Sequence, residues 1–397
     1  MNRIKHELLF LLVRGLTLLS PPVSYLAFTG SGSSRELCAH IARSGIGRLL
    51  VVTDRPLREL GIVDRALEGF AAYPVDIAFF DGVQPDPDFD HVAAGAAAQR
   101  RHRSEAVLAI GGGSSIDAAK VIAAAATSDA DPRDWVGFGR VKHELLPIFV
   151  MPTTAGTGSE ATQGAVISDP QTHEKSVLSG RDMLPAAAAL DPELQRGMPP
   201  AITAATGMDA LTHAIEAYIS RWQRGTARDC ARRAISLIFD YLPRAFADGD
   251  DGEARAAMSM AAYYAGMAIN QVNVGNVHAI AHQLGGRYGI PHGVANAMVL
   301  PEVLDFCATE AEEPLAELAE LVGAGESGAA PRERARAFIG AVRRLRETLE
   351  IAATSELLKV EDFDYLAGLA VQEAMLYFAP RLLDAAAARR VLSHIAA

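Results

Sequence analysis

Several side chains that could bind a metal recur at regular spacing in the second half of the chain. Asp209 and His213 are four residues apart, a step that places both on one face of a helix. His278 and His282 repeat this step, and His292 follows a glycine and a proline. A core position is the usual explanation for one such histidine, but three of the chain's 11 histidines lie within residues 278–292. One carboxylate with three imidazoles suits Fe(II) or Zn(II) and could leave a coordination position free for substrate.

A glycine-rich turn in the first half could bind phosphate. Gly111, Gly112 and Gly113 directly follow a predicted strand, and Ser114 and Ser115 lead into a predicted helix. Glycine lets the backbone approach a ligand closely, and a helix N-terminus offers unpaired N–H groups and the positive end of its dipole. Because a tight turn alone needs fewer glycines, we predict a phosphate site here.

Two more segments follow predicted strands and could contribute to the same ligand site. Residues 152–160 combine glycines with three threonines. Asp54 follows the apolar run that ends at Thr53, where a carboxylate can accept hydrogen bonds from a ribose and repel a 2′-phosphate. Such a carboxylate favours NAD over NADP, although a structural role as a helix cap explains Asp54 equally well. The glycine spacing differs from the GxGxxG fingerprint, which indicates a less common kind of dinucleotide domain.

These motifs require two different kinds of domain to position them. Up to residue 193, β-branched runs alternate with Ala-rich helical stretches, and we predict strands at residues 48–53, 75–80, 106–110 and 148–152. From residue 194 onward strand signals vanish, and amphipathic patterns such as those at residues 312–321 and 331–349 predict helices. We therefore predict an α/β dinucleotide-binding domain at residues 1–193 and an all-helical, catalytic metal-binding domain at residues 194–397.

Composition excludes several classes of protein. The 397 residues are 50% hydrophobic and 21% charged, with a net charge of −11 and no Lys/Arg-rich run that would bind nucleic acid. The three cysteines, Cys38, Cys230 and Cys307, form no CxxC pair, so we expect neither a disulfide framework nor a thiolate metal site. These features favour a cytoplasmic protein, which we expect to be a homo-oligomer such as a dimer.

The first 28 residues form an apolar N-terminal extension. Arg14 interrupts its apolar run, and Pro21 and Pro22 end it, so it is too short for a membrane span of about 20 apolar residues. We expect an N-terminal helix packed on the protein or on a partner subunit, with peripheral membrane contact as the alternative.

From about Thr29 to near its C-terminus, the chain resembles the iron-containing, group III alcohol dehydrogenases. Residues 207–220, 278–285 and 291–297 carry the most specific part of the resemblance. It implies that the metal ligands are Asp209, His213, His278 and His292. It also implies that His282 lies beside the nicotinamide without binding the metal. Around NAD it places Asp54, Gly112, Gly113, Ser114, Asp117, Thr153, Thr154, Thr157 and Lys175.

The resemblance implies a metal-dependent alcohol dehydrogenase that transfers a hydride between an alcohol or aldehyde and NAD(H). The expected divalent metal, Fe(II) or alternatively Zn(II), would polarise the substrate oxygen, and His282 would relay a proton to solvent. The chain departs from the family at the N-terminal extension and at Asp86, where many relatives carry Asn.

Three alternatives compete with this interpretation. A metal-independent reductase of the same fold is disfavoured by the four filled ligand positions, and a dehydroquinate-synthase-like lyase by the histidine run. A non-catalytic nucleotide- or metal-binding assembly protein would hold cofactor without forming NADH from alcohols.

Overall fold

A computed structural model describes residues 7, 10, 11, 23–171, 174–223, 225–326 and 328–397. These residues fold into two compact units. The α/β unit comprises those in 25–203 and 247–266, and the helical unit comprises those before 25 and in 204–246 and 267–397. Within the described ranges, no helix combines the length and apolar character that crossing a membrane requires.

A parallel sheet forms the centre of the α/β unit. The strands are β1 Ala27–Thr29, β2 Arg48–Val52, β3 Asp76–Phe80, β4 Ala106–Gly111, β5 Ile148–Pro152, β6 Gly164–Ser168, β7 Lys175–Ser179 and β8 Ala187–Leu190. Among the described residues, six of them form one sheet in the order β1-β8-β5-β4-β2-β3, in which every pairing is parallel. Strands β6 and β7 pair as a separate antiparallel hairpin.

Helices cover both faces of this sheet. They are α1 Ser33–Arg43, α2 Arg55–Glu59, α3 Ile62–Leu67, α4 Phe89–His102 and α5 Gly113–Ala125. Alternate side chains of β2 enter different apolar clusters: Leu50 and Val52 pack in one, and Leu49 and Val51 in the other. Burial on both faces is the usual state of a parallel sheet, and it explains why the central strands are continuous apolar runs.

After residue 199, the regular elements of the described residues are helices. The α-helices are α6 Pro200–Ile219, α7 Ala227–Ala247, α8 Gly252–Val272, α9 Asn276–Tyr288, α10 His292–Cys307, α11 Glu312–Leu321, α12 Pro331–Thr348, α13 Phe363–Ala374 and α14 Ala385–Ile395. Gly207 lets α6 and α7 approach closely, since an added Cβ would lie 2.3 Å from Leu242 Cδ1. Gly289 ends α9 with a φ of 66°, so the chain turns and α10 begins at His292. The predicted fold class, an α/β half followed by a helical half, is confirmed.

The compact units divide the chain differently from the predicted boundary between residues 193 and 194. Residues 247–266 belong to the α/β unit. Arg255 from this segment donates hydrogen bonds to Thr203 Oγ1 and to the carbonyl oxygens of Met198 and Gly249. The bonds to Thr203 and Met198 join residues 247–266 to the segment that ends at residue 203. The α/β unit is therefore built from two separate stretches of the chain.

The apolar N-terminal extension lies mostly outside the described residues. Within it, Glu7 forms an ion pair with Arg221 of the helical unit, at 2.8 and 2.9 Å. Phe10 is buried and packs edge-to-face on Phe378, with ring centroids 5.0 Å apart. These two described residues therefore pack on other parts of the helical unit, to which they belong.

Candidate functional site

Three predicted metal ligands converge in the helical unit. Asp209 lies on α6, His278 on α9, and His292 at the first position of α10. Each offers one ligand atom, and these atoms all lie within 4.8 Å of one another. The Nε2 atoms of His292 and His278 are 3.3 and 3.7 Å from Asp209 Oδ1. Asp209 and His278 are buried, whereas the His292 side chain is 29% exposed, so solvent reaches the cluster at His292.

The fourth predicted ligand, His213, lies beside this group. Its Nε2 is 3.8 Å from Asp209 Oδ1, and its ring stacks on that of His278 with centroids 4.6 Å apart. The structure therefore brings all four predicted ligands together, although His213 is not among the three with mutually close ligand atoms. A carboxylate oxygen and imidazole nitrogens make a donor set that fits a divalent transition metal.

Glu216 orients His278 and was missed by the sequence analysis. Its Oε2 accepts hydrogen bonds from His278 Nδ1 at 2.6 Å and from the backbone N–H of Gly275, and its Oε1 accepts one from the backbone N–H of Val277. With its proton on Nδ1, His278 presents Nε2 towards Asp209, as a metal-binding histidine does. Glu216 lies seven residues after Asp209 on the same helix face, and this spacing could have identified it.

Asn296 is a second missed residue at the cluster. It is fully buried, and its Nδ2 lies 2.7 Å from Asp209 Oδ1. The same atom lies 3.2 and 3.1 Å from the Nε2 atoms of His278 and His292. The Asn296 amide therefore contacts all three converging ligand atoms.

Burial and neighbouring charges shift the pKa values of the cluster in opposite directions. Burial raises the pKa of Asp209, but the nearby His213 and His292 outweigh it and hold that pKa well below its usual value. Burial lowers the pKa of His278, but Glu216 and Asp209 outweigh it and raise the pKa to about 9. In His292, burial dominates and lowers the pKa despite Asp209. The cluster thus holds a carboxylate anion at neutral pH, which favours a cation there.

His282 belongs to a separate hydrogen-bonded group. Its Nδ1 lies 2.6 Å from Glu373 Oε1, which also accepts a hydrogen bond from the Tyr377 hydroxyl at 2.7 Å. The ring of His282 stacks on that of His292 with centroids 5.2 Å apart. Burial raises the pKa of Glu373, but the charge of His282 and the two hydrogen bonds outweigh it and lower the pKa. His282 therefore adjoins the cluster of predicted metal ligands while its Nδ1 is paired with a carboxylate.

The predicted cofactor residues collect at one edge of the sheet in the α/β unit. Asp54 follows β2, Gly112 follows β4 and Thr153 follows β5, and β2, β4 and β5 are neighbours. The carboxyl ends of adjacent parallel strands are where α/β sheets bind ligands. The backbone N–H of Thr153 donates to the carbonyl of Gly111, which ties the two predicted ligand-binding loops together.

The glycine turn, residues 111–113, closely contacts the threonine loop, residues 153–158. Helix α5 begins at Gly113 with no side-chain cap, which leaves its first-turn N–H groups available to an anion. An added Cβ at Gly113 would lie 2.5 Å from Thr157 Cγ2, and one at Gly112 would lie 3.3 Å from Thr154 Oγ1. Any larger residue at Gly113 would displace the loop. Ser114 is half-buried in the first turn of α5.

Asp54 has the structural role that the sequence left open. Its Oδ1 accepts a hydrogen bond from the backbone N–H of Leu57 at 2.9 Å and caps α2. Burial raises its pKa, although the Leu57 hydrogen bond opposes this effect. A cap uses one carboxylate oxygen, so capping and recognition of a ribose are compatible.

The two remaining predicted cofactor residues bind other parts of the protein. Asp117 accepts hydrogen bonds from the Ser159 hydroxyl and from the backbone N–H of Val166, the latter at 2.8 Å. Lys175 forms an ion pair with Asp86 at 2.6 Å. Asp86 has a φ of 54°, in the left-handed region that Asp and Asn tolerate better than most residues.

Comparisons with known proteins identify the family of the chain. The family model for iron-containing alcohol dehydrogenase matches residues 26–192, and that for the C-terminal part of the same family matches residues 203–395. The chain is 39% identical to alcohol dehydrogenase 4 of Saccharomyces cerevisiae over 89% of this chain and 91% of that protein. It is 40% identical to 1,3-propanediol dehydrogenase of Klebsiella pneumoniae, over 84% and 87% of the two chains.

A solved structure shows the same fold. The crystal structure of a 1,3-propanediol oxidoreductase superposes with a TM-score of 0.90 at 37% identity, covering 94% of this chain and 99% of the other. The matches extend across both the sheet and the helical region. The chain therefore belongs to the iron-containing alcohol dehydrogenase family and is an NAD(H)-linked oxidoreductase that interconverts alcohols and aldehydes.

Proposed function

We propose that Asp209, His213, His278 and His292 hold the divalent metal of this alcohol dehydrogenase. The observation that carries the proposal is the convergence of ligand atoms from Asp209, His278 and His292 within 4.8 Å of one another. The family description favours Fe(II), and the same donor set suits Zn(II). Exposure of the His292 side chain supports access for a small substrate at that side of the cluster.

We further propose that NAD(H) binds at the carboxyl ends of β2, β4 and β5. The proposed contacts are Asp54, Gly112, Gly113, Ser114, Asp117, Thr153, Thr154, Thr157 and Lys175. Support comes from the uncapped N-terminus of α5 and from the close approach of Gly113 to Thr157, since both suit a pyrophosphate. Asp117 and Lys175 are already engaged by Ser159 and Asp86, so their contribution would be mainly to shape the site.

When bound, the metal would supply Lewis acidity at the substrate oxygen, and NAD would supply the hydride acceptor. The chain's own residues provide orientation and proton transfer. Glu216 holds the proton of His278 on Nδ1 and keeps Nε2 facing Asp209. Glu373 holds His282 through Nδ1, so Nε2 of His282 is the atom we assign to relaying the substrate proton to solvent.

The proposed substrates are short primary alcohols and diols. Relatives about 40% identical are named as alcohol and 1,3-propanediol dehydrogenases, which supports this class. We also propose a cytoplasmic homo-oligomer such as a dimer; the three cysteines, all buried and unpaired, are compatible with a reducing compartment.

The test is metal-reconstituted turnover. Metal-free protein, loaded separately with Fe(II) and Zn(II), is assayed for NADH formation with a panel of short alcohols and diols. NADH should form only in the metal-loaded protein. Equal turnover in the metal-free protein would favour the metal-independent reductase, and NADH binding without any turnover would favour the non-catalytic binding protein.

A further inference from the structure

The α/β unit contains a buried lysine that is not among the proposed cofactor contacts. Lys120 is on α5, seven residues after the Gly113 that begins this helix. It is 0% exposed and is one of the two largest fully buried side chains among the described residues. Burying an ammonium group costs free energy unless hydrogen bonds replace its water, so its partners must be well placed.

The Lys120 ammonium binds one short segment of chain. Its Nζ donates to the backbone carbonyl and the hydroxyl of Ser159, at 2.7 and 2.9 Å. It also contacts the carbonyl and hydroxyl of Thr162, at 2.9 and 3.1 Å, and the carbonyl of Gly164 at 2.7 Å. All five acceptors belong to residues 159–164, so a single side chain fixes both ends of this segment.

This segment begins where the proposed cofactor loop ends. The backbone N–H of Ser159 donates to Thr157 Oγ1 at 3.2 Å, and the Ser159 hydroxyl donates to Asp117, which lies on the same helix as Lys120. On the other side, an added Cβ at Gly158 would lie 2.6 Å from Gly266 Cα, so the loop backbone packs closely on α8. The threonine loop is thus held between Lys120 and α8.

We propose that Lys120 is a positioning residue of the cofactor site. It ties the segment after the threonine loop to α5 and so holds Thr153, Thr154 and Thr157 against the phosphate-binding start of that helix. This inference rests on the proposed function, because it assumes that NAD(H) binds at these two loops. The protein would have to reorder the loop on binding if Lys120 were lost, and affinity would fall accordingly.

The charges around Lys120 fit this role. Asp117 and Glu160 are the nearby carboxylates, and Glu160 is buried. Burial lowers the pKa of Lys120 to about 8, with both carboxylates opposing the shift. The ammonium form that supplies three donors is therefore present at neutral pH.

The chain contains a matched control. Arg255 is also fully buried in the α/β unit, and its guanidinium donates to Met198, Thr203 and Gly249, none of which belongs to the threonine loop. Lys120→Met and Arg255→Met each remove one buried, hydrogen-bonded cation. Both should lower the melting temperature, but only Lys120→Met should weaken NADH binding.

The experiment measures NADH dissociation constants by fluorescence titration of metal-free wild type and of both variants, with kinetics after metal loading. Lys120→Met should raise the dissociation constant and the KM for NAD by about 10- to 100-fold, while kcat at saturating NAD stays near wild type. Arg255→Met should bind NADH as wild type does. Equal affinity in folded Lys120→Met and wild type, or equal losses in both variants, would overturn the inference.

Two other results are informative: a Lys120→Met variant that does not fold, and a wild type that does not bind NADH. If Lys120→Met does not fold, the double variant Ser159→Ala/Thr162→Val, which keeps the lysine and removes two acceptors, should weaken NADH binding by about three- to tenfold. Unchanged affinity there overturns the inference. Wild type that fails to bind NADH overturns the proposed function itself, and the inference with it.

Discussion

Glu216 accepts a hydrogen bond from Nδ1 of His278 at 2.6 Å, and both side chains are buried. Loss of such an outer partner typically costs about 10- to 100-fold in metal affinity. We expect Glu216→Gln to weaken Fe(II) or Zn(II) binding by about this factor, measured by competition with a chelator. Glu317→Gln is the control, since Glu317 pairs with Tyr218 and Arg228 away from the cluster. Similar metal affinities for the two variants would contradict the role of Glu216.

His278→Ala should abolish metal retention and activity while leaving NADH binding nearly intact. The proposed metal ligands all belong to the helical unit, and the proposed cofactor residues belong to the α/β unit. Metal content and NADH titration of the same preparation measure both effects. His394→Ala, which changes an exposed histidine paired with Glu302, serves as the control. Full metal occupancy in His278→Ala would remove this residue from the ligand set.

His282→Ala should keep its metal and lose turnover. Removing a general acid–base group typically costs about 10²- to 10⁴-fold in rate, and the pH–rate profile should change as well. Glu373→Gln should produce a smaller loss of the same kind, because Glu373 holds His282 through Nδ1. Metal content and pH–rate profiles check both variants. An unaltered profile, or loss of metal from His282→Ala, would refute the relay.

The charge of Asp54 and its capping role can be separated by two substitutions. Asp54→Asn keeps an oxygen that can cap α2 and removes the charge, whereas Asp54→Gly removes both. Both should improve kcat/KM with NADP relative to NAD, because the charge that repels a 2′-phosphate is gone. Thermal unfolding monitors the cap independently. An unchanged cofactor preference in both variants would leave Asp54 with a structural role alone.

Because the Glu160 carboxyl is buried, the stability of the protein should depend on pH. Burial raises the pKa of this carboxyl from 4.5 to about 7, with Lys120 opposing the shift. Between these values the folded state keeps a proton that the unfolded chain releases, so the free energy of unfolding should decrease as pH rises from 4.5 to 7.

Glu160→Gln lacks this proton and should lose that part of the pH dependence. The stability of the variant relative to wild type should increase by about 2 kcal/mol between pH 5 and pH 8, measured by denaturant unfolding. Glu105→Gln, at a carboxylate outside the core, should show no such gain. Parallel pH curves for wild type and Glu160→Gln would disprove the prediction.

Local pattern predicted four of the six strands of the parallel sheet, β2 to β5, and missed β1 and β8, which lie side by side in it. The apolar runs predicted at residues 48–53 and 148–152 became β2 and β5, because strands buried on both faces need continuous apolar sequence. Strand β8 is Ala-Ala-Ala-Leu, a composition that favours a helix, and it was not predicted. Its pairing with β1 and β5 supplies the stability that its own sequence lacks.

In the candidate site, too, local sequence pattern revealed contacts within one helix but not contacts between distant segments. Helical spacing identified Asp209 and His213 as neighbours, and their side chains lie 3.8 Å apart. Glu373 reaches His282 from 91 residues away, a pairing that no local spacing reveals. Lys120 was hidden for a different reason, since a lysine on an Ala-rich helix is ordinarily a surface residue and only the tertiary fold buries it.

The discontinuity of the α/β unit affects how the protein can be made and divided. A ribosome must synthesise the chain through residue 266 before this unit has all of its parts, so its folding cannot finish while only the first 203 residues have emerged. A fragment ending there would lack the guanidinium that binds Met198 and Thr203, and the Ser259 hydroxyl that accepts from Gln195. Genetic excision of the α/β unit therefore requires residues 247–266 to be rejoined to residue 203 through a designed connection.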